Sequence, residues 1–342
     1  MPDQTASDFP LKEARQLTRD LMKPNPAIYW SDFLLTIIIG WGAFIYAYMN
    51  PLLTASGCAA FIVCVLALYR AVIFTHEISH FKKGSFKRFR FMWNLLAGMP
   101  MMAPSFMYQG VHNEHHARDI YGTHEDGEYL PFATETRAKI IGYILLIFIL
   151  PGFFLVRFSV LAPLSWVHTS VREFVWRRAS SLTIDLAYER PLASRRDDPT
   201  WKLQELGSFL YIWAAIVLTL IGVLSYKVFV LWYAVVIGIF LLNSLRTLAA
   251  HKYRNPGDQK MTVPEQFLDS VDVPGHKFIT SLWAPVGLRY HATHHLFPNM
   301  PYHSLGKAHR RLVAELSDNR LYLKAKRDSL WHALKTIWSE AK

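Results

Sequence analysis

Three clusters of histidine carry most of the chemistry that this sequence could perform. They read HEISH at residues 76–80, HNEHH at 112–116 and HATHH at 291–295, and they hold eight of the 15 histidines in the 342-residue chain. Imidazole nitrogen is a good ligand for iron, zinc, copper and nickel. Eight imidazoles exceed the four-coordinate shell of one zinc ion. The count therefore predicts a site for two metal ions.

The spacing within each cluster suits ligands that point in a common direction. His76 and His80 are four residues apart, so on a helix they lie on one face. In HNEHH and HATHH, the first histidine lies three and four residues before the other two, which repeats that geometry. A further histidine, in the stretch RTLAAH, ends the last long apolar run. The predicted metal ligands are His76, His80, His112, His115, His116, His251, His291, His294 and His295.

The other six histidines are isolated in the sequence. Nothing in their spacing brings them into a cluster, so each is predicted to be an ordinary polar residue. They are His124, His168, His276, His303, His309 and His332.

Two other uses of the clustered histidines compete with a two-metal enzyme. HEISH matches H-E-x-x-H, in which two histidines bind zinc and the glutamate is the general base of a protease. A single zinc needs only one further protein ligand, which leaves HNEHH and HATHH largely without a role. A metal transporter usually places its ligands near the middle of the bilayer, whereas these clusters lie beyond the apolar runs. Both alternatives stay open behind the two-metal enzyme.

Membrane helices are the elements that must position these clusters. The chain is 52% hydrophobic and contains 11 Trp, 22 Phe and 16 Tyr. Four apolar runs each approach the about 20 residues that a helix needs to cross a bilayer. They cover about residues 32–49, 52–74, 206–226 and 228–249, and short connections join them into two hairpins. The predicted fold is therefore an all-α integral membrane protein with four transmembrane helices.

The net charge of +11 is concentrated beside the predicted spans. Basic residues precede span one, follow span two and follow span four. The turn between the first two spans has none, and the turn between the last two has only Lys227. By the positive-inside rule, both termini and all three histidine clusters are cytoplasmic. Attraction to anionic headgroups accounts for this charge without a nucleic-acid partner.

Two further apolar stretches interrupt the cytoplasmic connection. Residues 91–108 contain Pro100 and Pro104, and residues 140–166 contain Pro151 and Arg157. A single crossing by residues 140–166 would place HATHH on the opposite side of the membrane from the other clusters. We therefore predict that both stretches are interfacial or re-entrant helices.

The chain then divides into three parts. Residues 1–30 form a cytosolic lead-in with a short amphipathic helix on the membrane surface at residues 11–22. Residues 31–315 hold the spans, the interfacial helices and a cytosolic histidine-rich cap. Residues 316–342 form a C-terminal helical tail.

The three clusters, in this order and spacing on two membrane hairpins, resemble the histidine boxes of the membrane fatty acid desaturase and hydroxylase superfamily. The segment HHLFPNMPYHSL, which begins at His294, and RTLAAHKYR around His251 are similar to bacterial acyl-lipid desaturases. The resemblance covers roughly residues 35–315. It implies a non-haem di-iron centre on the cytosolic side, with the nine histidines as ligands of two Fe ions (Fe2+/Fe3+).

The resemblance also implies a supporting group for the metal. In the acyl-CoA members of the superfamily, an asparagine one turn before the fourth-span histidine supports the metal through water. Here that position is Thr247, and Asn243 lies two turns before His251. Either residue is a candidate for the role.

The activity implied is an oxygen-dependent desaturase that introduces a double bond into a fatty acyl chain of a membrane lipid. Alternatives on the same scaffold are a hydroxylase, or an enzyme that acts on a sphingolipid or a carotenoid; HEISH also resembles the box of sphingolipid desaturases. An apolar channel would select the carbon, lined by bulky residues of positions 95–108 and the inner ends of spans two and four.

Two electrons must come from outside the chain. No H-P-G-G haem motif is present in the sequence. We therefore expect a separate electron donor, either ferredoxin or cytochrome b5 with its reductase. The expected location is a bacterial inner membrane, with the active site facing the cytoplasm.

Overall fold

The chain folds as helices joined by short connections. The computed structural model describes residues 6–191 and 199–342. In these ranges there is no β-strand, only isolated β-bridges, so the all-α prediction is confirmed. The helices are α1 (Leu11–Thr18), α2 (Pro26–Met49), α3 (Ala55–His80), α4 (Lys87–Trp93), α5 (Val111–His115), α6 (Arg137–Leu145), α7 (Leu150–Val156), α8 (Ala162–Val167), α9 (Thr169–Arg178), α10 (Pro199–Leu220), α11 (Lys227–Ala250), α12 (Val263–Asp269), α13 (Lys277–Trp283), α14 (His291–Leu296), α15 (Tyr302–Glu315), α16 (Arg320–Lys324) and α17 (Leu330–Glu340).

Short 3-10 and π turns extend or join several of these helices. The 3-10 turns are Ala6–Asp8, Arg19–Leu21, Ser105–Met107 and Leu146–Phe148. The π turns are Asn94–Gly98 and Arg157–Leu161.

Within residues 6–191 and 199–342, five helical segments are long and apolar enough to cross a membrane. Four of them, α2, α3, α10 and α11, coincide with the predicted spans. The third predicted span was placed too far along the chain, since α10 begins at Pro199 and ends at Leu220. The chain turns directly afterwards, where Gly222 adopts a φ of 79° that only glycine reaches without strain.

The fifth segment, Leu150–Val167, consists of α7, the π turn Arg157–Leu161 and α8. Two residues of this stretch argued against a long helix in the sequence, and neither breaks it. Pro151 occupies the first turn of α7, where no backbone N–H is needed. Arg157 is fully buried and pairs with Glu205 of α10, so its charge is compensated within the protein.

The chain separates into two compact units. Unit 1 contains the residues up to Tyr29, Asn113–Ile144 and Asn243–Lys342. Its core is apolar and joins α1, α12, α14, α15 and α16, with Ala14, Phe267 and Leu312 all fully buried. The apolar face of α1 packs in this core, so protein covers the face from which the sequence predicted an amphipathic helix. Periodicity identifies an apolar face, but it does not identify what covers it.

Unit 2 contains Trp30–His112 and Leu145–Leu242. In this unit the stretch 91–108 folds back on itself. Asn94 clamps the two ends, since its side-chain Nδ2 donates to Ser105 Oγ at 2.9 Å and its Oδ1 accepts from the Ser105 backbone N–H at 2.8 Å. Trp93 Nε1 donates to the Ala71 carbonyl of α3 at 2.7 Å, which holds the segment against that helix.

Candidate metal centre

Four histidines of unit 1 converge on one point. His115 ends α5, His251 directly follows α11, and His291 and His295 lie one turn apart on α14. All four are buried, and one ring nitrogen from each lies within 4.8 Å of the others. Three separate elements therefore supply a four-imidazole group, which we call the tetrad.

The spacing of the tetrad nitrogens fits a bound metal ion. His291 Nε2 lies 2.9 Å from His251 Nε2 and 3.2 Å from His295 Nε2. Ligands about 2.1 Å from a metal, at tetrahedral or octahedral angles, lie about 3.0–3.4 Å from one another. Neutral imidazoles also carry one proton each, so hydrogen bonds alone satisfy such a group poorly. The residues present therefore fit a metal ion held by nitrogen.

Electrostatics favour the neutral imidazole at two members of the tetrad, His251 and His295. Burial lowers the pKa of His251 well below its usual value, and the charges of His115 and Arg246 lower it further. Burial likewise lowers the pKa of His295, with the neighbouring histidines adding to the effect. Neutral imidazole is the form that binds a metal ion.

A buried carboxylate sets the orientation of His115. Nδ1 of His115 lies 2.8 Å from Asp126 Oδ2, and the Asp126 side chain is fully buried. Burial disfavours the protonated imidazole, but the charge and hydrogen bond of Asp126 outweigh it and raise the pKa of His115. Asp126 itself is held by the backbone N–H groups of Gly122 and Glu128, each at 2.9 Å. Because Asp126 holds Nδ1, Nε2 of His115 is the nitrogen that faces the other tetrad histidines.

A tyrosine performs the same function for His251. The Tyr121 hydroxyl donates to Asp269 Oδ2 at 2.9 Å and lies 2.9 Å from His251 Nδ1. Ser270 Oγ donates to the Gln266 carbonyl and lies 3.2 Å from the same nitrogen. Because each hydroxyl has one proton and has already donated it, each must accept from His251 Nδ1–H. Nε2 of His251 is therefore the unprotonated nitrogen, and it is the one that faces the tetrad.

Helix α14, which carries HATHH, is anchored through its middle residue. Asp272 accepts hydrogen bonds from the backbone N–H of Thr293 at 3.0 Å and from its hydroxyl at 2.6 Å. His309 Nδ1 lies 3.0 Å from Asp272 and 2.9 Å from the hydroxyl of Tyr322. His309, predicted to be an ordinary polar residue, thus belongs to a buried network that holds the ligand helix in place.

The other two predicted ligands in unit 1 form a pair beside the tetrad. His116 Nε2 lies 3.0 Å from His294 Nε2, and the ring of His116 lies 4.3 Å from that of His295 between centroids. His294 is fully buried. All six histidines predicted in this part of the chain therefore lie in one contiguous group.

Unit 2 brings its own three predicted histidines together. His112 Nε2 lies 2.9 Å from His80 Nε2, and its ring centroid lies 4.5 Å from that of His76. His112 Nδ1 is 2.9 Å from the hydroxyl of Tyr108. We call His76, His80 and His112 the triad.

Sequence reasoning missed the groups that support these histidines. It proposed Asn243 or Thr247, and the side chain of each accepts a hydrogen bond from the guanidinium of Arg246, at 3.0 and 2.9 Å. The side chains that contact the tetrad histidines are Tyr121, Asp126 and Ser270, with Asp269 behind Tyr121. Four acidic residues follow HNEHH within 12 positions of His116, and nothing in their spacing singles out Asp126.

Comparison with known proteins relates the whole chain to one family. The model of the family described as fatty acid desaturase matches residues 55–326, a range that includes all nine predicted ligands. A ceramide hydroxylase of Caulobacter vibrioides (strain NA1000 / CB15N) is 42% identical over 331 residues, which cover 96% of this chain and 93% of that protein.

Proposed function

Because this chain belongs to the fatty acid desaturase family, we propose that it hydroxylates a hydrocarbon chain of a ceramide-type membrane lipid. The observation that carries the proposal is the similarity to a ceramide hydroxylase along nearly the whole of both chains. It favours hydroxylation, the alternative in our prediction, over the desaturation that the sequence motifs placed first. At the coarser level the chain is an oxidoreductase of this superfamily and an integral membrane protein.

The proposed reaction is a monooxygenation. One oxygen atom of O2 enters a C–H bond of the lipid and becomes a hydroxyl, and the other leaves as water. An external donor supplies two electrons, and the solvent supplies two protons. Ferredoxin, or cytochrome b5 with its reductase, remains the proposed donor.

The proposed cofactor is a pair of iron ions. The tetrad His115, His251, His291 and His295 holds one ion, as its nitrogen spacing supports. The remaining predicted ligands are proposed on the grounds of the sequence motifs alone; they are His76, His80, His112, His116 and His294. Bound iron would supply the O2 activation that attack on an unactivated C–H bond requires.

The protein orients the histidine ligands and excludes water from the site. Asp126 fixes the tautomer of His115, and the Tyr121–Asp269 pair fixes that of His251. Nε2 of each histidine then faces the metal site. The tetrad is buried, which keeps water from the reacting atoms. The Asp272 network holds α14 and its three histidines at a fixed angle.

We also propose that the histidines and both termini face the cytoplasm. The basic residues beside the membrane helices support this orientation through the positive-inside rule. Single-cysteine variants at Lys82 and Asn50, placed in a Cys58→Ala, Cys64→Ala background, would test it. A membrane-impermeant thiol reagent added outside intact cells should label position 50 and not position 82.

Desaturation is the second candidate. The similarity of HHLFPNMPYHSL to acyl-lipid desaturases favours it. Hydroxylation and desaturation begin with the same removal of hydrogen and differ only in the second step, so the same ligand set serves both.

Mass spectrometry of lipids separates these candidates. The chain is expressed in a host supplied with a defined ceramide, beside a His291→Ala variant that reports the background of the host. Ceramide that gains one oxygen atom supports the proposal. Ceramide that loses two hydrogens indicates a desaturase, and a change confined to phospholipid chains shows that the substrate class is wrong. Metal analysis that finds one zinc and no iron would support the protease alternative.

A further inference from the structure

An apolar cavity of about 300 Å³ lies among the membrane helices of unit 2. Its wall includes Trp41 and Phe44 of α2, Ala215 of α10 and Trp232 of α11, together with the segment that follows α4. Every residue that lines it is aliphatic or aromatic. A cavity of this kind at membrane depth suits hydrocarbon and offers nothing to a polar ligand.

Three aromatic side chains hold one wall of the cavity. Trp41 Nε1 donates to the Leu96 carbonyl at 2.9 Å, Tyr211 Oη to the Leu95 carbonyl at 2.7 Å, and Trp232 Nε1 to the Pro100 carbonyl at 3.0 Å. They come from three different membrane helices. Each donor is used by a backbone oxygen, so the rings present only their apolar surfaces to the cavity.

The sequence of the wall explains why the Leu95 and Leu96 carbonyls are available. In the π turn Asn94–Gly98, the Leu95 carbonyl would accept from the residue five positions later. That residue is Pro100, which has no N–H. The backbone N–H of Met101 bonds to Ala97 instead of Leu96. Unpaired carbonyls are costly in hydrocarbon, and the aromatic donors remove that cost while leaving the cavity open.

The depth of the cavity can be measured along α3. Gly40 packs directly on Leu68, since a Cβ added to this glycine would lie 2.6 Å from Leu68 Cδ2. Trp41, which lines the cavity, is therefore level with Leu68. His76 lies eight residues further along the same helix, or about 12 Å at the rise of an α-helix. The cavity thus begins about two turns of helix before His76, away from the end of α3 that carries HEISH.

One side of the cavity is open to the surroundings. Tyr211, which lines it, is 38% exposed, and its neighbours Leu210 and Trp213 on α10 are 55% and 40% exposed. On a membrane helix such large apolar surfaces face lipid. Access to the cavity is therefore from the bilayer, beside α10.

We propose that this cavity binds one hydrocarbon chain of a two-chain membrane lipid, which enters sideways from the bilayer beside Tyr211. The identification of that lipid as substrate rests on the proposed function, whereas the binding itself requires no turnover. Entry from the bilayer distinguishes a resident lipid from an acyl group delivered from water on a soluble carrier.

Photocrosslinking tests the proposal with the purified full-length chain in lipid nanodiscs. The probe is a ceramide with a diazirine near the methyl end of its acyl chain, and the competing probe is an acyl-CoA with the same chain added from water. We expect the ceramide to label peptides that contain Trp41–Phe44 or Tyr211–Ala215. Equal labelling of these peptides by the acyl-CoA would overturn entry from the bilayer.

Adjacent alanines of α10 provide a matched pair of variants. Ala215 lines the cavity, whereas Ala214 is exposed and does not. Ala215→Phe should reduce ceramide labelling about tenfold, because the ring excludes a few methylenes, and Ala214→Phe should leave it unchanged. Ala215→Leu, a milder filling, should give an intermediate loss with the melting temperature of the parent. Parental labelling in both Ala215 variants would overturn the cavity as the site. Labelling that responds as expected, in a chain that never yields oxidised ceramide, would contradict the proposed function alone.

Discussion

The tetrad of unit 1 and the triad of unit 2 hold their imidazoles in different ways. The tetrad draws on α5, α14 and the end of α11, and buried carboxylates stand behind two of its members, Asp126 directly and Asp269 through Tyr121. In the triad, His76 and His80 share α3, and the partner of His112 Nδ1 is the neutral hydroxyl of Tyr108. Ligands on one helix are positioned by the helix itself. Ligands from separate elements need tertiary contacts, and here those contacts carry charge.

Removal of a tetrad imidazole should have the largest effect. We expect His295→Ala to lower product formation by more than about a hundredfold, since loss of a ligand exceeds the loss of a supporting partner. Iron per chain should fall in parallel. The measurements are lipid mass spectrometry and metal analysis, with His332→Ala, at an exposed histidine, as the control. Parental iron and activity in His295→Ala would remove this residue from the ligand set.

Neutralising the carboxylate behind the tetrad should come next. Asp126→Asn keeps the shape of the side chain but removes the charge that stabilises a cationic or metal-bound His115. We expect metal affinity to fall about 10–100-fold, measured by competition with a chelator of known affinity. An unchanged affinity would mean that Asp126 serves the loop around Gly122 and not the metal.

Loss of the Tyr121 hydroxyl should have a smaller effect, about tenfold in metal affinity. Tyr121→Phe leaves Ser270 as the acceptor of the His251 Nδ1–H. The preference for the tautomer protonated at Nδ1 is therefore weakened but kept. Tyr253→Phe is the matched control, because this buried hydroxyl donates to the Thr247 carbonyl. If both variants lose metal affinity equally, a general loosening of the core explains the result better than the loss of the hydrogen bond to His251.

The smallest effect is expected in the triad. Tyr108→Phe removes a hydrogen bond from a neutral partner, and we expect metal affinity or activity to fall by about threefold. The same chelator competition applies. A loss as large as that of Asp126→Asn would show that a neutral hydroxyl supports its histidine as strongly as a carboxylate does.

The sequence was a good guide wherever the signal is local. Apolar length located four of the five long helices, and helical spacing placed His76 beside His80 and His291 beside His295. His251 was predicted to lie near HATHH because it follows the last long apolar run, and in the structure it contacts His291. These features depend on covalent spacing alone, so a single chain displays them.

The sequence was a poor guide wherever a residue's effect depends on a distant partner. In the sequence, the charge of Arg157 is evidence against a membrane helix. In the structure that charge is paired with Glu205, which lies 48 residues later in the chain. The amphipathic α1 has an apolar face, but whether protein or lipid covers it depends on α12 and α15. Histidine motifs also do not separate hydroxylation from desaturation, since both reactions use the same ligands.

By itself, the sequence determined that this is a helical membrane protein with enough clustered imidazole for two metal ions, because hydrophobic length and ligand spacing are properties of the chain. Only the tertiary structure decided which nitrogen of His251 faces the other tetrad histidines, which carboxylate supports His115, and that three aromatic side chains donate to backbone carbonyls around Pro100 beside a cavity. The physical reason is that hydrogen bonds and charge pairs inside a protein join residues far apart in sequence, and several residues could have filled each role until the fold brought one of them within reach.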